Sequence, residues 1–476
     1  MPAQSSQVPS SWNLETIRQQ IVGLTSQVPL LNGQLHPYIS LDNAASTPAL
    51  QPVQRRVNEF LAWYSSVHRG TGFKSQLSTW AYEQARHIVL QFVGADPQHD
   101  TVIFGKNTTE SLNQLAHRFR ARDERVLTSV MEHHSNLLPW RADGDELLDY
   151  VAVTPDGRLD EEDLVRKLEQ YNGHVKLVAV SGASNVTGYV PPIQRLAEIA
   201  HRFGALILVD GAQLAAHRPI SMGAPGDPER IDFLALSAHK MYAPFGSGAL
   251  IGARDFFAQG EPKMVGGGTI DIVTLERTVW TAPPERDEAG SPNVVGAVAL
   301  AVAAATLQEI GWSFIVDHEQ TLTTYALRRL HQVPGLHLLG GGDPERVADR
   351  LGVISFVLEN TPHALVAAIL AYEHGIGVRH GCFCAHPYML RLLNVPPEEI
   401  ARYQAGIERG DRSHIPGAVR ASLGIYNTAA EVDILVEALT RIARGEYAGE
   451  YELDPITGDY TPLGYTVRFE EHFSFQ

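Results

Sequence analysis

Four short apolar runs, each ending in polar or glycine-containing residues, constrain this chain more than any other feature. They occupy residues 101–104, 175–180, 205–209 and 233–236, and break off at segments such as Gly105-Lys106-Asn107 and Asp210-Gly211. Runs of this length and composition, separated by helical stretches, read as strands buried on both faces of a mainly parallel sheet. The fold class is therefore α/β, a central sheet flanked by helices. In open sheets of this kind ligands bind at the carboxyl ends of the strands, so chemistry is sought in the loops after these runs.

The texture changes after an alanine-rich apolar run at 294–307, which is shorter than the roughly 20 residues needed to span a bilayer and reads as a buried helix. An amphipathic stretch over 312–332 leads through Val333-Pro334-Gly335 to new strands at 336–339 and 352–357. The expected organisation is a large domain over 37–310 and a smaller C-terminal α/β domain over 311–448. Residues 1–36 are expected to pack on the smaller domain, and 449–476 form an acidic, aromatic extension. Such a chain of 476 residues, 44% hydrophobic, has ample material for two cores.

The net charge of −16, with no basic run to reverse it locally, argues against nucleic acid or acidic membranes as partners. No positive segment followed by an apolar stretch opens the chain, so no secretory signal is expected. Two cysteines, Cys382 and Cys384, allow no disulfide framework, and a reducing cytoplasm is the default expectation.

Three loops after strands carry candidate chemistry. Lys240 lies in Ser237-Ala238-His239-Lys240, directly after the run 233–236. A lone lysine is most often a surface residue, but here a strand precedes it and Pro244-Phe245-Gly246-Ser247-Gly248 follows. Asp210 ends the run 205–209, with Gln213 three residues on; taken alone, it reads equally as a turn or capping aspartate. Asn107-Thr108-Thr109-Glu110 opens a helical stretch, either as an ordinary capping box or as an anion site made of amides and hydroxyls. Together they match the demands of pyridoxal phosphate. That cofactor needs a lysine for a Schiff base, an acid beside the pyridine nitrogen and donors for the phosphate.

These segments resemble the class V aminotransferase fold group, and within it the short-loop cysteine desulfurases and selenocysteine lyases. The likeness runs colinearly from about Pro37 to Leu439. It includes Leu41-Asp42-Asn43-Ala44-Ala45-Ser46, Val67-His68-Arg69-Gly70, Glu132-His133-His134-Ser135-Asn136 and Val209-Asp210-Gly211-Ala212-Gln213. It continues through Gly266-Gly267-Gly268-Thr269, Gly290-Ser291-Pro292-Asn293, Arg379-His380-Gly381 with Cys384-Ala385, and Arg420-Ala421-Ser422.

The resemblance implies a fold-type I pyridoxal-phosphate enzyme working as a homodimer. It gives Lys240 the covalent link and proton transfer, Asp210 the pyridinium nitrogen and Gln213 the ring oxygen. His133 would stack on the ring. Thr108, Thr109, Ser237 and His239 would hold the phosphate, with Thr269 reaching it from the partner subunit. Asn185, Arg379, Arg420 and His68 would receive the substrate, Arg379 by a bidentate fork to its carboxylate. The implied activity releases sulfur from L-cysteine, or selenium from selenocysteine, and passes it to an acceptor protein.

In this reading Cys384, five residues after Arg379, is the nucleophile that takes the sulfur as a persulfide and leaves alanine. Arg379, His380 and His386 are candidates to favour its thiolate. Three other readings stand beside it: an inert buried thiol, a metal site from His380, Cys382, Cys384 and His386, and a Cys382–Cys384 redox pair. Adjacent ligands on one flat strand cannot surround an ion, and an i,i+2 disulfide is strained. Thr71-Gly72 after the His68 motif and Cys382-Phe383 before the nucleophile depart from the short-loop pattern where substrate should sit. A carbon–sulfur β-lyase, epimerase or aminotransferase of the same fold, and a non-catalytic descendant, are the competing functions.

Overall fold

The computed structural model describes residues 11–120, 124–141 and 146–475. Among these residues, seven strands form one sheet: Asp100–Gly105 (β1), Arg125–Ser129 (β2), Leu148–Val151 (β3), Val175–Ser181 (β4), Leu206–Asp210 (β5), Phe233–Ser237 (β6) and Gly248–Ala253 (β7). Their order is β1-β7-β6-β5-β4-β2-β3. Neighbours are parallel from β6 to β3, while β7 runs antiparallel between β6 and β1.

The apolar runs are continuous because both faces of this sheet are covered. Along β4, Leu177 and Ala179 enter one core while Val178 and Val180 enter the other. Leu208 against Ile207 and Val209 on β5, and Phe233 and Ala235 against Leu234 and Leu236 on β6, divide in the same way. Side chains alternate across a strand, so each strand supplies two buried layers.

Helix Val294–Ile310 is buried over most of its surface and is capped by Asn293, whose side chain accepts from Gly296 N at 2.8 Å. At Gly311 (φ 91) the chain bends into helix Trp312–Leu330. That helix begins in the main core at Ile315 and ends in a second core at Leu327 and Leu330. No single described helix is long and apolar enough to cross a membrane.

The second core lies under an antiparallel sheet of Leu336–Leu338 (β8), Val353–Leu358 (β9), Arg379–Gly381 (β10) and Ala418–Ser422 (β11), in the order β8-β9-β11-β10. Residues 1–10 lie outside the described residues, and the segment after them touches both units rather than the smaller one alone. Ile17 and Ile21 pack in the main core, while Arg18 pairs with Glu431 at 2.8 Å. The C-terminal segment forms a hairpin, Tyr451–Leu453 (β12) with Tyr460–Pro462 (β13), laid on the smaller unit. Glu373 holds its base by accepting from Ala448 N and Gly449 N, both at 2.9 Å, and Asp459 meets His380 at 3.2 Å.

Candidate active site

The carboxyl ends of β4, β5 and β6 converge on one cavity of about 200 Å³. Lys240 follows β6 on a short helical turn, Ala238–Lys240, and its ammonium makes no hydrogen bond or ion pair among the described residues. Burial lowers its pKa from 10.5 to about 8, against the pull of Asp210. Asp210 ends β5 and accepts from Ala212 N at 3.0 Å; burial raises its pKa. Each of the two shifts toward its neutral form, so the loss of water outweighs their attraction.

At another side of the cavity, helix Thr108–Arg120 begins against β6. Thr108 N donates to Ser237 Oγ at 2.9 Å, and Ser237 Oγ donates to Thr108 Oγ1 at 2.9 Å. Thr109 and His239 line the same cavity. Burial, then the Lys240 charge, pushes His239 down to about 4, so it is neutral near pH 7. Gly248 of β7 permits this approach: a Cβ there would lie 2.6 Å from Asn107 Cα.

His133 follows β2 and lines the cavity with its Nδ1 accepting from Ser135 N at 3.1 Å. The Nε2 therefore carries the proton of the neutral ring. Burial, with Lys240 beside it, pushes this histidine down to about 3. Gln213 lines the same space, with its amide nitrogen donating to Ala44 O at 2.7 Å.

Across the cavity stand Arg379, Arg420, Asn185 and Cys384. Arg420 is largely committed: NH1 donates to Asn185 O and NH2 to Asp42 Oδ1, both at 2.9 Å. Those two bonds brace Asn185 and Asp42, while the buried Nε of Arg420 has no partner among the described residues. Arg379 has the freer fork for a carboxylate, being half exposed and 4.0 Å from Asp42. Asn185 lines the cavity, and one of its amide hydrogens holds the cysteine loop by donating from Nδ2 to Phe383 O at 2.7 Å.

Cys384 is exposed, which removes the inert buried reading. His380, Cys382, Cys384 and His386 do not share one flat strand, because β10 ends at Gly381 and the chain turns. His380 faces Asp459, whereas His386 Nδ1 lies 3.5 Å from Cys382 and 3.2 Å from His134 Nε2. His386 thus stands beside Cys382, not Cys384.

His68 and Thr269 do not line the cavity of their own chain. Thr269 is buried, with its hydroxyl donating to Gly266 O at 2.8 Å. Glu132 is a contributor that sequence reasoning missed. It accepts from Ser181 Oγ at 2.6 Å and Asn136 Nδ2 at 2.7 Å beneath His133, and burial raises it to about 7. Its only sequence signal was its place beside His133 after a strand.

The family model for class-V aminotransferases matches residues 39–435, a span that holds every residue of this cavity. The chain belongs to the class-V aminotransferase family. Among relatives of this class-V chain, a probable cysteine desulfurase of Mycolicibacterium paratuberculosis is 36% identical over 436 residues. That match takes in 89% of this chain but only 58% of the relative's length. A cysteine desulfurase of Haloferax volcanii is 36% identical over 416 residues, 85% of this chain and 89% of its own. The apo structure of a cysteine desulfurase from Thermococcus onnurineus NA1 superposes with a TM-score of 0.75 at 33% identity, covering 93% of this chain and 100% of that one.

Proposed function

We propose that the chain is a pyridoxal-phosphate-dependent cysteine desulfurase that releases sulfur from L-cysteine, or selenium from selenocysteine, onto Cys384. The observation that carries this reading is the single cavity lined by both half-buried Lys240 and exposed Cys384. The donor set fits the cofactor, with an amine that lines the cavity without a hydrogen-bond partner among the described residues, a buried carboxylate with one backbone donor, and amides and hydroxyls at a helix start. Lys240 would hold the cofactor covalently, Asp210 would face its ring nitrogen and neutral His133 its ring face. Thr108, Thr109, Ser237 and His239 would take the phosphate, and Gln213 the ring oxygen through the amide hydrogen not bound to Ala44. When bound, pyridoxal phosphate supplies an electron sink beside the substrate α-carbon.

Arg379 orients the substrate by its carboxylate, placing the α-proton at Lys240 Nζ and the sulfur at Cys384 Sγ. A lysine near 8 exchanges protons readily around neutral pH. Cys384 Sγ takes the substrate sulfur, and Lys240 returns a proton to the three-carbon fragment, which leaves as alanine. The two free thiols suit a reducing compartment such as the cytoplasm, and an acceptor protein is the expected destination of the sulfur.

A homodimer is part of this reading. Trp63, Tyr64, Phe73 and Trp80 are exposed, as are Ile272, Val273 and Leu275. Arg69 donates to Ile270 O at 3.1 Å and ties the two groups into one apolar surface, which a second subunit would cover. Thr269 lies in the same region; serving the partner's phosphate site would require its hydroxyl to leave Gly266.

Product analysis tests the reaction type. The enzyme loaded with pyridoxal phosphate is expected to give alanine from L-cysteine in the presence of a reductant. Pyruvate and ammonia would instead assign it as a carbon–sulfur β-lyase.

A further inference from the structure

Cys384 stands at the wall between two cavities. One is the cavity that holds Lys240; the other, about 780 Å³, opens on the far side of the cysteine loop. Cys384 lines both, while Cys382 lines only the second. Segments outside the main sheet build this outer chamber, among them Arg412–Gly417 and Thr457, Gly458 and Tyr460 of the C-terminal hairpin. Its described lining contains no carboxylate, and its charged side chains are Arg379 and Arg412. In a chain of net charge −16, that is a local environment suited to an anionic sulfur group.

The two thiols share one tight turn. Ala385 N donates to Cys382 O at 3.0 Å, and the residues between, Phe383 and Cys384, have φ of 53° and 55°. Left-handed backbone is unfavourable for a residue other than glycine. Asn185 Nδ2 on Phe383 O at 2.7 Å, and His134 N on Cys384 O at 2.6 Å, hold the turn in that shape. Cys382 Sγ lies 3.5 Å from His386 Nδ1, which meets His134 Nε2 at 3.2 Å, and that Nε2 accepts from His386 N at 3.1 Å and so is unprotonated.

We propose that Cys382 is a second sulfur carrier, which takes the sulfane sulfur from Cys384 and presents it to the outer chamber. The inference rests on the desulfurase reading, which supplies the persulfide. The Cys382 proton passes to the imidazole pair of His386 and His134, whose unprotonated nitrogen is His134 Nε2, and the Cys382 thiolate attacks the outer sulfur of the Cys384 persulfide. The bond between that sulfur and Cys384 Sγ breaks, its electron pair leaves on Cys384 Sγ, and a new S–S bond forms at Cys382. Nothing is oxidised or reduced overall, and no co-reactant is needed. Attack on the inner sulfur would instead join Cys382 to Cys384, an i,i+2 bridge that ordinary disulfide geometry disfavours. Transfer empties Cys384 for a second substrate.

The test uses the enzyme loaded with pyridoxal phosphate, mixed with a small excess of L-cysteine and no other thiol, then quenched with an alkylating reagent. The wild type is expected to release about two alanines per site in its first phase, and Cys382→Ser about one. Fragment-ion mapping should find sulfane sulfur on Cys382 of the wild type. One alanine per site in both proteins, with sulfur confined to Cys384, overturns the relay alone. No alanine, or undiminished alanine from Cys384→Ala, overturns the desulfurase reading and the relay together. If Cys382→Ser does not fold, the wild-type map decides, and absence of sulfur from Cys382 at every quench time overturns the relay.

Discussion

Lys240 and Asp210 are neighbours that both resist their charges, and this has a thermodynamic signature. The Lys240 pKa falls from 10.5 to about 8 in the fold, so between those values the unfolded chain binds more protons than the native one. Stability of the cofactor-free protein should therefore rise with pH across that window. Lys240→Met is expected to stabilise that form at pH 7 by roughly 1–3 kcal/mol, because it removes a half-buried charge at the expense of function. Urea unfolding of both proteins at pH 7 and above pH 10 checks this, since the difference should shrink at the higher pH. Lys240→Ala, loaded with cofactor in parallel, should lose the visible absorbance of the bound group. Lys240 was legible because its flanks, a strand before and a glycine-rich turn after, contradicted the surface reading. The commitments of Arg420 and Asn185 were not, since their partners at Asp42 and Phe383 lie far away along the chain.

At the scale of elements, the site depends on β7 passing closely between β6 and β1. Gly248→Ala would drive a Cβ to 2.6 Å from both Asn107 Cα and Leu236 O, which are backbone atoms that cannot swing aside. The start of helix Thr108–Arg120 should move from Ser237, weakening cofactor binding by tenfold or more, as titration of absorbance would show. Asn185→Ala should release the turn at Phe383 and Cys384. We expect a loss of about 1–2 kcal/mol in urea unfolding, for one buried bond, and a fall in alanine formation with cofactor binding intact. The parallel strands β4, β5 and β6 were readable from apolar runs ending in polar residues. The antiparallel β7 was not, because Gly248-Ala249-Leu250-Ile251-Gly252-Ala253 carries two glycines and a single β-branched residue. The turn after β10 escaped for a related reason: Phe383 and Cys384 give no local signal for left-handed backbone.

For the whole molecule, the exposed apolar groups around Trp80 and Leu275 argue for a covered face. Sedimentation should give a dimer mass, and Phe73→Glu with Leu275→Asp should shift it toward the monomer with weakened cofactor binding. Contacts between copies have no periodic sequence signature, so only the motif around Thr269 hinted at them. The C-terminal hairpin was equally silent in sequence, yet it lines the chamber beside Cys382.

The central claim, that Lys240 and Cys384 share one cavity to move sulfur from an amino acid, is tested most directly by one comparison. Alanine formation from L-cysteine is measured for the wild type and Cys384→Ala at equal cofactor occupancy, judged by absorbance. The account predicts a loss of at least about a hundredfold in the variant with the absorbance unchanged. Alanine formation at the wild-type rate would contradict it.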